Sequence, residues 1–153
     1  MSITKLNNLS ISAVTALPSG VGGKVLQVVS GTTTTQATTT STSYQSTGIA
    51  VSITPSLATS KIFIIFTTTF ETNSSGNRAT YGIFRDSTQI TVNAVQQPSV
   101  SGSPYHTGSA NFLDSPNTTS AISYNVKYKS DGNIVGVNFP SGNGTITCFE
   151  IGA

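Results

Sequence analysis

Residues 23–47 read GKVLQVVSGTTTTQATTTSTSYQST, a hydrophobic run that passes straight into a threonine tract, and no other stretch restricts the fold so strongly. Val25, Leu26, Val28 and Val29 can pair and bury. The threonines that follow are β-branched, uncharged and rich in hydroxyls, which suits extended backbone or an exposed strand edge and penalises a helix. The chain therefore reads as β from this point on. The tract itself has two readings, a low-complexity linker or an edge strand whose hydroxyls bond across subunits. We expect order over residues 41–47 and leave residues 32–40 open between the two.

Solubility is the next constraint. Only 8% of the 153 residues are charged, against roughly 25% in ordinary soluble domains. The 25 Thr and 23 Ser, with Gly and Asn, must hydrate the surface instead. A net charge of +2 gives no electrostatic footprint for a polyanion, so nucleic acid is not an expected partner. The length suits one domain with a real core. Cys148 is the single cysteine, which rules out an intramolecular disulfide; its place in TITCFEI points to a small buried thiol. The first twenty residues lack the continuous apolar core of a signal peptide, and nothing approaches the ~20 apolar residues of a membrane span, so synthesis in a cytoplasm and no membrane insertion are expected.

Two units follow from the pattern. Residues 1–23 carry Ile3, Leu6, Leu9, Ile11, Val14 and Leu17 among Ser, Asn and Thr, and end in Pro18-Ser19-Gly20 and Gly22-Gly23. The spacing of three fits a short amphipathic turn, and the composition argues against a long helix. This is an amino-terminal arm without a core of its own, so it must dock on the body of its own oligomer or on a larger assembly. From residue 24 to 153, strand signals recur at the short spacing of an all-β sandwich or barrel. Ile49, Val51 and Ile53 alternate with small residues; KIFIIFTTTFE at residues 61–71 is the strongest core strand and belongs in mid-sheet. Further strands are expected around Tyr81 and Ile83, through Ile90, Val92 and Ala94, over residues 105–113, through Ile122, Tyr124, Val126 and Tyr128, through Ile134 to Phe139, and over residues 145–151. Asp131-Gly132-Asn133 is a tight hairpin signal. Residues 73–77, 96–104 and 114–117 read as loops.

The order of GKVLQVVSGTTTTQATTTSTSYQSTGIAVSITPSLATSKIFIIF, GIFRDSTQI, FLDSPNTTSAISYNVKYKS and GTITCFEIGA resembles a family of small virion structural and tail-fibre-type proteins of tailed bacteriophages, abundant among phages of marine bacteria and cyanobacteria. The resemblance covers roughly residues 23–153. It implies an antiparallel β-sandwich of jelly-roll type, commonly a homotrimer, displayed on the virus particle. Family members of the fibre kind carry longer amino-terminal shafts than residues 1–23 supply. That favours a compact module, held by a short arm and decorating or cementing the capsid, over the receptor-binding tip of a tail fibre. Expected partners are further copies of the chain, other virion proteins including the major capsid protein, and, for a fibre tip, a host surface glycan.

Catalytic chemistry finds little to stand on. His106 is the only histidine, which excludes a multi-histidine metal centre within one subunit, and no catalytic, metal or cofactor site is expected. Among the acids Glu71, Asp86, Asp114, Asp131 and Glu150, three aspartates sit where this residue caps turns. Lys127 and Lys129 share one strand face with Tyr128 on the other. Most of the five tyrosines should pack in the core. Asn117-Thr118-Thr119 and Asn143-Gly144-Thr145 match a glycosylation acceptor pattern by coincidence. The attachment element is therefore Ile3, Leu6, Leu9, Ile11, Val14 and Leu17, and Tyr105 with His106, beside the longest loop, is the candidate receptor contact.

Overall fold

The computed structural model describes residues 24–72, 78–91, 97–98, 105–140 and 142–152. Its strands are β1 Val25–Thr33, β2 Ala37–Thr39, β3 Gln45–Ile53, β4 Lys61–Thr72, β5 Arg78–Arg85, β6 Thr88–Gln89, β7 Gln97–Pro98, β8 Tyr105–Asp114, β9 Ile122–Ser130, β10 Val135–Val137 and β11 Gly144–Ile151. They form two antiparallel sheets. In sheet A, β4 pairs with β8 on one side and with β10 and β11 on the other; β11 then pairs with β1, and β10 with β2. In sheet B the order is β3, β9, β5, with β6 and β7 both on the far edge of β5.

Because β1 and β2 run in one line, as do β10 and β11, the pairing is nested: the first line with the last, β3 with β9, β4 with β8, and β5 with β6 and β7. Such nesting, wrapped into two sheets, is the double Greek key of a jelly roll. The expected all-β sandwich is thus the observed fold. Period-two burial explains why each strand sits where it does. Ile62, Ile64, Phe66 and Phe70 of β4 face Ile122, Tyr124, Val126 and Tyr128 of β9 and Tyr81 and Ile83 of β5 across the core. Phe70 stacks on Tyr81 at 4.4 Å and Phe66 meets the same ring edge-on at 5.5 Å. Each such side chain contributes about 1.5–3 kcal/mol through burial. Cys148 is buried, and burial pushes its thiol up to about 12.

Two sequence expectations change. The Asp131–Asn133 signal is a turn without a hairpin, since β9 belongs to sheet B and β10 to sheet A, so this turn carries the chain across the sandwich. Turn chemistry specifies a local reversal, whereas the burial of Val135 and Val137 decides which sheet they join. The expected strand through Ile90, Val92 and Ala94 falls largely on residues 92–96, outside the described residues; ahead of it, the two-residue strand Thr88–Gln89 closes on β5 around Asp86, whose φ is 52°. Finally, β10 stops at Val137 because Asn138 takes a φ of 64°. Its side chain accepts from Thr68 at 2.6 Å and donates to the Thr35 carbonyl at 2.7 Å, pinning the breaks between β10 and β11 and between β1 and β2 to β4. The threonine tract is divided by the same break: Thr32 and Thr33 pair with Thr145 and Gly144, and residues 37–39 with Val137, Gly136 and Val135.

Candidate assembly surface

The outer face of sheet A follows from the register. Paired residues of an antiparallel sheet share a face, so the side chains that alternate with the core set form rows across the strands. One row is Val25, Ile151 and Lys61; the next is Val28, Phe149, Phe63 and Leu113; the third is Ser30, Thr147, Ile65 and Asn111; the fourth is Thr32, Thr145, Thr67 and Ser109. Val25 is 49% exposed, Val28 52%, Ile65 41% and Leu113 49%, while Phe63, Phe149 and Ile151 are half-buried. Phe63 and Phe149 lie 6.3 Å apart between centroids. A contiguous apolar band therefore faces outward from the central strands, bordered by a lattice of hydroxyls in which Ser30 and Thr147 bond at 3.0 Å. The uninterrupted apolar run at residues 62–66 is what a strand buried on both faces shows; among the described residues only its inner face is covered. The parity of Phe63, Ile65, Phe149 and Ile151 was the available signal for this surface, and a search for catalytic or sugar-stacking residues passes over it.

The end of the sheet that carries this band is held rigidly. Glu150 points inward and is fully buried, at the same parity as Ile146 and Cys148. Its carboxylate accepts from Gln27 Nε2 at 2.6 Å, from the Ser56 backbone at 2.7 Å and hydroxyl at 3.1 Å, and from the Leu57 backbone at 3.4 Å. Gln27 also donates to the Thr54 carbonyl at 2.7 Å. Burial alone would raise the pKa of Glu150; the hydrogen bonds from Gln27 and Ser56 outweigh it and bring the group down to about 2. The link between β3 and β4 is thereby fastened to β1 and β11, and the Gly152 amide donates to the Lys24 carbonyl at 2.8 Å, fixing the point where residues 1–23 join the body.

The expected contact residues divide. Ile3, Leu6, Leu9, Ile11, Val14 and Leu17 lie outside the described residues. Tyr105, opposite Glu71, is exposed on the outer face of sheet A, whereas His106, opposite Phe70, turns inward, and its Nε2 is buried without a hydrogen-bond partner among the described residues. Successive strand residues point to opposite faces, so the two side chains do not form one contact surface. Asp114 is an ion-pair partner as well as a turn neighbour: it accepts from Arg85 at 3.0 and 3.1 Å and from the Tyr124 hydroxyl at 2.7 Å. Burial, then the hydrogen bond to Asp114, raises the Tyr124 pKa. On the outer face of sheet B, Lys127 sits 4.6 Å over the Phe84 ring and Lys129 5.0 Å over Tyr44, which meets Phe84 edge-on at 5.0 Å and accepts from Gln89 at 3.1 Å. The described residues hold no group of three or more His, Cys, Asp or Glu side chains placed to bind a metal ion, and among them no helix is long and apolar enough to cross a membrane.

No family model and no curated protein matches the sequence, so the resemblance to phage proteins rests on the motifs quoted above. Among solved structures, the chain is similar to T=1 particles derived from infectious bursal virus, with a TM-score of 0.45 and 11% identity over 84% of this chain and 37% of that one. It is also similar to the VP2 subviral particle of infectious bursal disease virus, with a TM-score of 0.44 and 16% identity over 82% of this chain and 41% of that one. The chain spans about two-fifths of the length of these proteins.

Proposed function

We propose that this chain is a non-enzymatic structural subunit on the surface of a tailed-phage virion, working as a homotrimer that decorates or cements the capsid. In this reading it is made in the bacterial host cytoplasm, residues 1–23 are the segment through which it joins its assembly, and other virion proteins, the major capsid protein among them, are its neighbours. The observation that carries the reading is the outward apolar band of Val28, Phe63, Ile65, Leu113, Phe149 and Ile151 on a chain rich in neutral hydroxyls. A contiguous apolar patch on a domain this size marks an association surface. The sequence resemblance supplies the virion setting. Locating the protein on intact particles, by labelling or high-resolution density, tests this: many copies over the head are expected, and absence from purified particles would reject a virion role.

The receptor-binding tip of a tail fibre is the second reading, favoured by the platform of Lys127, Lys129, Tyr44 and Phe84 on sheet B, where ammonium groups and a ring edge are held ready for a host glycan. Copies confined to the tail, together with lost host adsorption but normal particle stability in Lys129→Gln with Tyr44→Ala, would reverse the order of the two readings. Unchanged adsorption leaves decoration standing.

A further inference from the structure

We propose that residues 1–23 of each subunit lie across the outer face of sheet A of the neighbouring subunit, closing the oligomer by exchange of arms. The inference rests on the homotrimer reading and names the element that covers the apolar band.

Four observations carry it. First, the chemistry matches: six apolar side chains of the segment are interleaved with Ser2, Thr4, Asn7, Asn8, Ser10, Ser12 and Thr15, and the face offers an apolar band beside rows of Ser and Thr. Second, the segment ends in the right place. It joins β1 at Lys24, which Gly152 fixes at the end of the sheet where the band lies. Third, the reach suffices: 23 residues extend to about 80 Å at most, against a radius of gyration of about 14 Å for a domain of this size and a four-stranded face about 19 Å wide. Fourth, symmetry agrees. A contact of the band with itself is isologous and yields a dimer, whereas segment-to-face contact joins two different surfaces, the kind of interface from which a cyclic trimer is built.

Disulfide trapping in the full chain tests this. In a Cys148→Ala background, Ile65→Cys is combined in turn with Leu6→Cys, Leu9→Cys and Ile11→Cys, and each protein is oxidised after sedimentation has reported its size. The expected result is a trimer before oxidation and, for at least one pair, covalent dimers and trimers on a non-reducing gel. Cross-links within one chain would overturn the exchange, because the segment would then cover its own subunit. A trimer that none of the pairs traps would overturn it too, leaving the homotrimer intact but its band covered by another surface. A monomer before oxidation removes the homotrimer reading together with the inference. As a variant that leaves the core alone, Val28→Asp, on an exposed outer position, should weaken trimer association about tenfold or more with the far-ultraviolet spectrum unchanged; association at wild-type strength would contradict the placement.

Discussion

Gly31→Val is expected to prevent folding at ordinary temperature, and Gly31→Ala to lower the melting temperature by about 10 °C. Gly31 in β1 of sheet A stands directly against the backbone of β3 in sheet B. A Cβ there would lie 2.0 Å from the Ala50 carbonyl oxygen and 3.0 Å from its carbon. Both atoms are backbone of β3, so no rotamer change relieves the overlap; the two edge strands must separate by more than an ångström. Overpacking costs about 1–3 kcal/mol where side chains can adjust, and an obstruction made of backbone lies at or above the top of that range. Against a total of about 5–15 kcal/mol, and with about 2–4 °C per kcal/mol for a chain of this length, the alanine variant loses a large share and the branched variant nearly everything. Thr32→Ala, one residue on and facing outward, is the control and should change stability by less than about 0.5 kcal/mol. Thermal unfolding of the three proteins measures the difference; a Gly31→Ala protein melting within two degrees of the parent would mean that the strands are not in such close contact.

Glu150→Ala should also destabilise the fold, and it should alter the response to acid. The carboxylate is fully buried and its partners are neutral donors: the Gln27 amide, the Ser56 backbone and hydroxyl, and the Leu57 backbone. Truncation removes the acceptor these donors share; Gln27 keeps its bond to the Thr54 carbonyl and the exposed Ser56 and Leu57 groups can turn to water, so the cost is about 1–3 kcal/mol. With a folded pKa of about 2 against an ordinary 4.5, the charged group stabilises the fold fully above about pH 4.5, and this contribution is lost as pH falls through about 2. In the parent protein stability should therefore decline between pH 4.5 and pH 2. Glu150→Gln keeps one acceptor oxygen, so it should fold with lower stability at pH 7 and show a much shallower acid dependence. Urea unfolding from pH 2 to pH 7 distinguishes the outcomes; equal acid sensitivity in the parent and Glu150→Gln would assign the pH dependence to other carboxylates.

Strand identity was legible wherever one face alone is buried. Ile122, Tyr124, Val126 and Tyr128 alternate with Ser123, Asn125, Lys127 and Lys129, and the structure buries the first set and leaves the second toward solvent. Partner choice was less legible, because it depends on residues far apart in sequence. The turn at Asp131–Asn133 specifies a change of direction equally well for a hairpin and for a crossing between sheets, and the core decides. The threonine tract posed the same problem: nothing within it announces that Thr32 and Thr33 pair with the strand containing Cys148, or that Asn138, about a hundred residues away, ends one strand and begins another. Glu150 could be placed inside by its parity with Ile146 and Cys148, but its partners Gln27 and Ser56 lie 123 and 94 positions away and are visible only in the fold. The apolar band escaped for a different reason. Phe63 and Ile65 read as core because they sit in an unbroken apolar run, and a strand placed in mid-sheet is still open on whichever face no second layer covers.

The account depends most on that band being covered by further copies of the chain. Sedimentation of the full-length protein at micromolar concentration measures this directly. A single species of three times the 15.8 kDa chain mass is the result predicted, and a stable, well-folded monomer would contradict it.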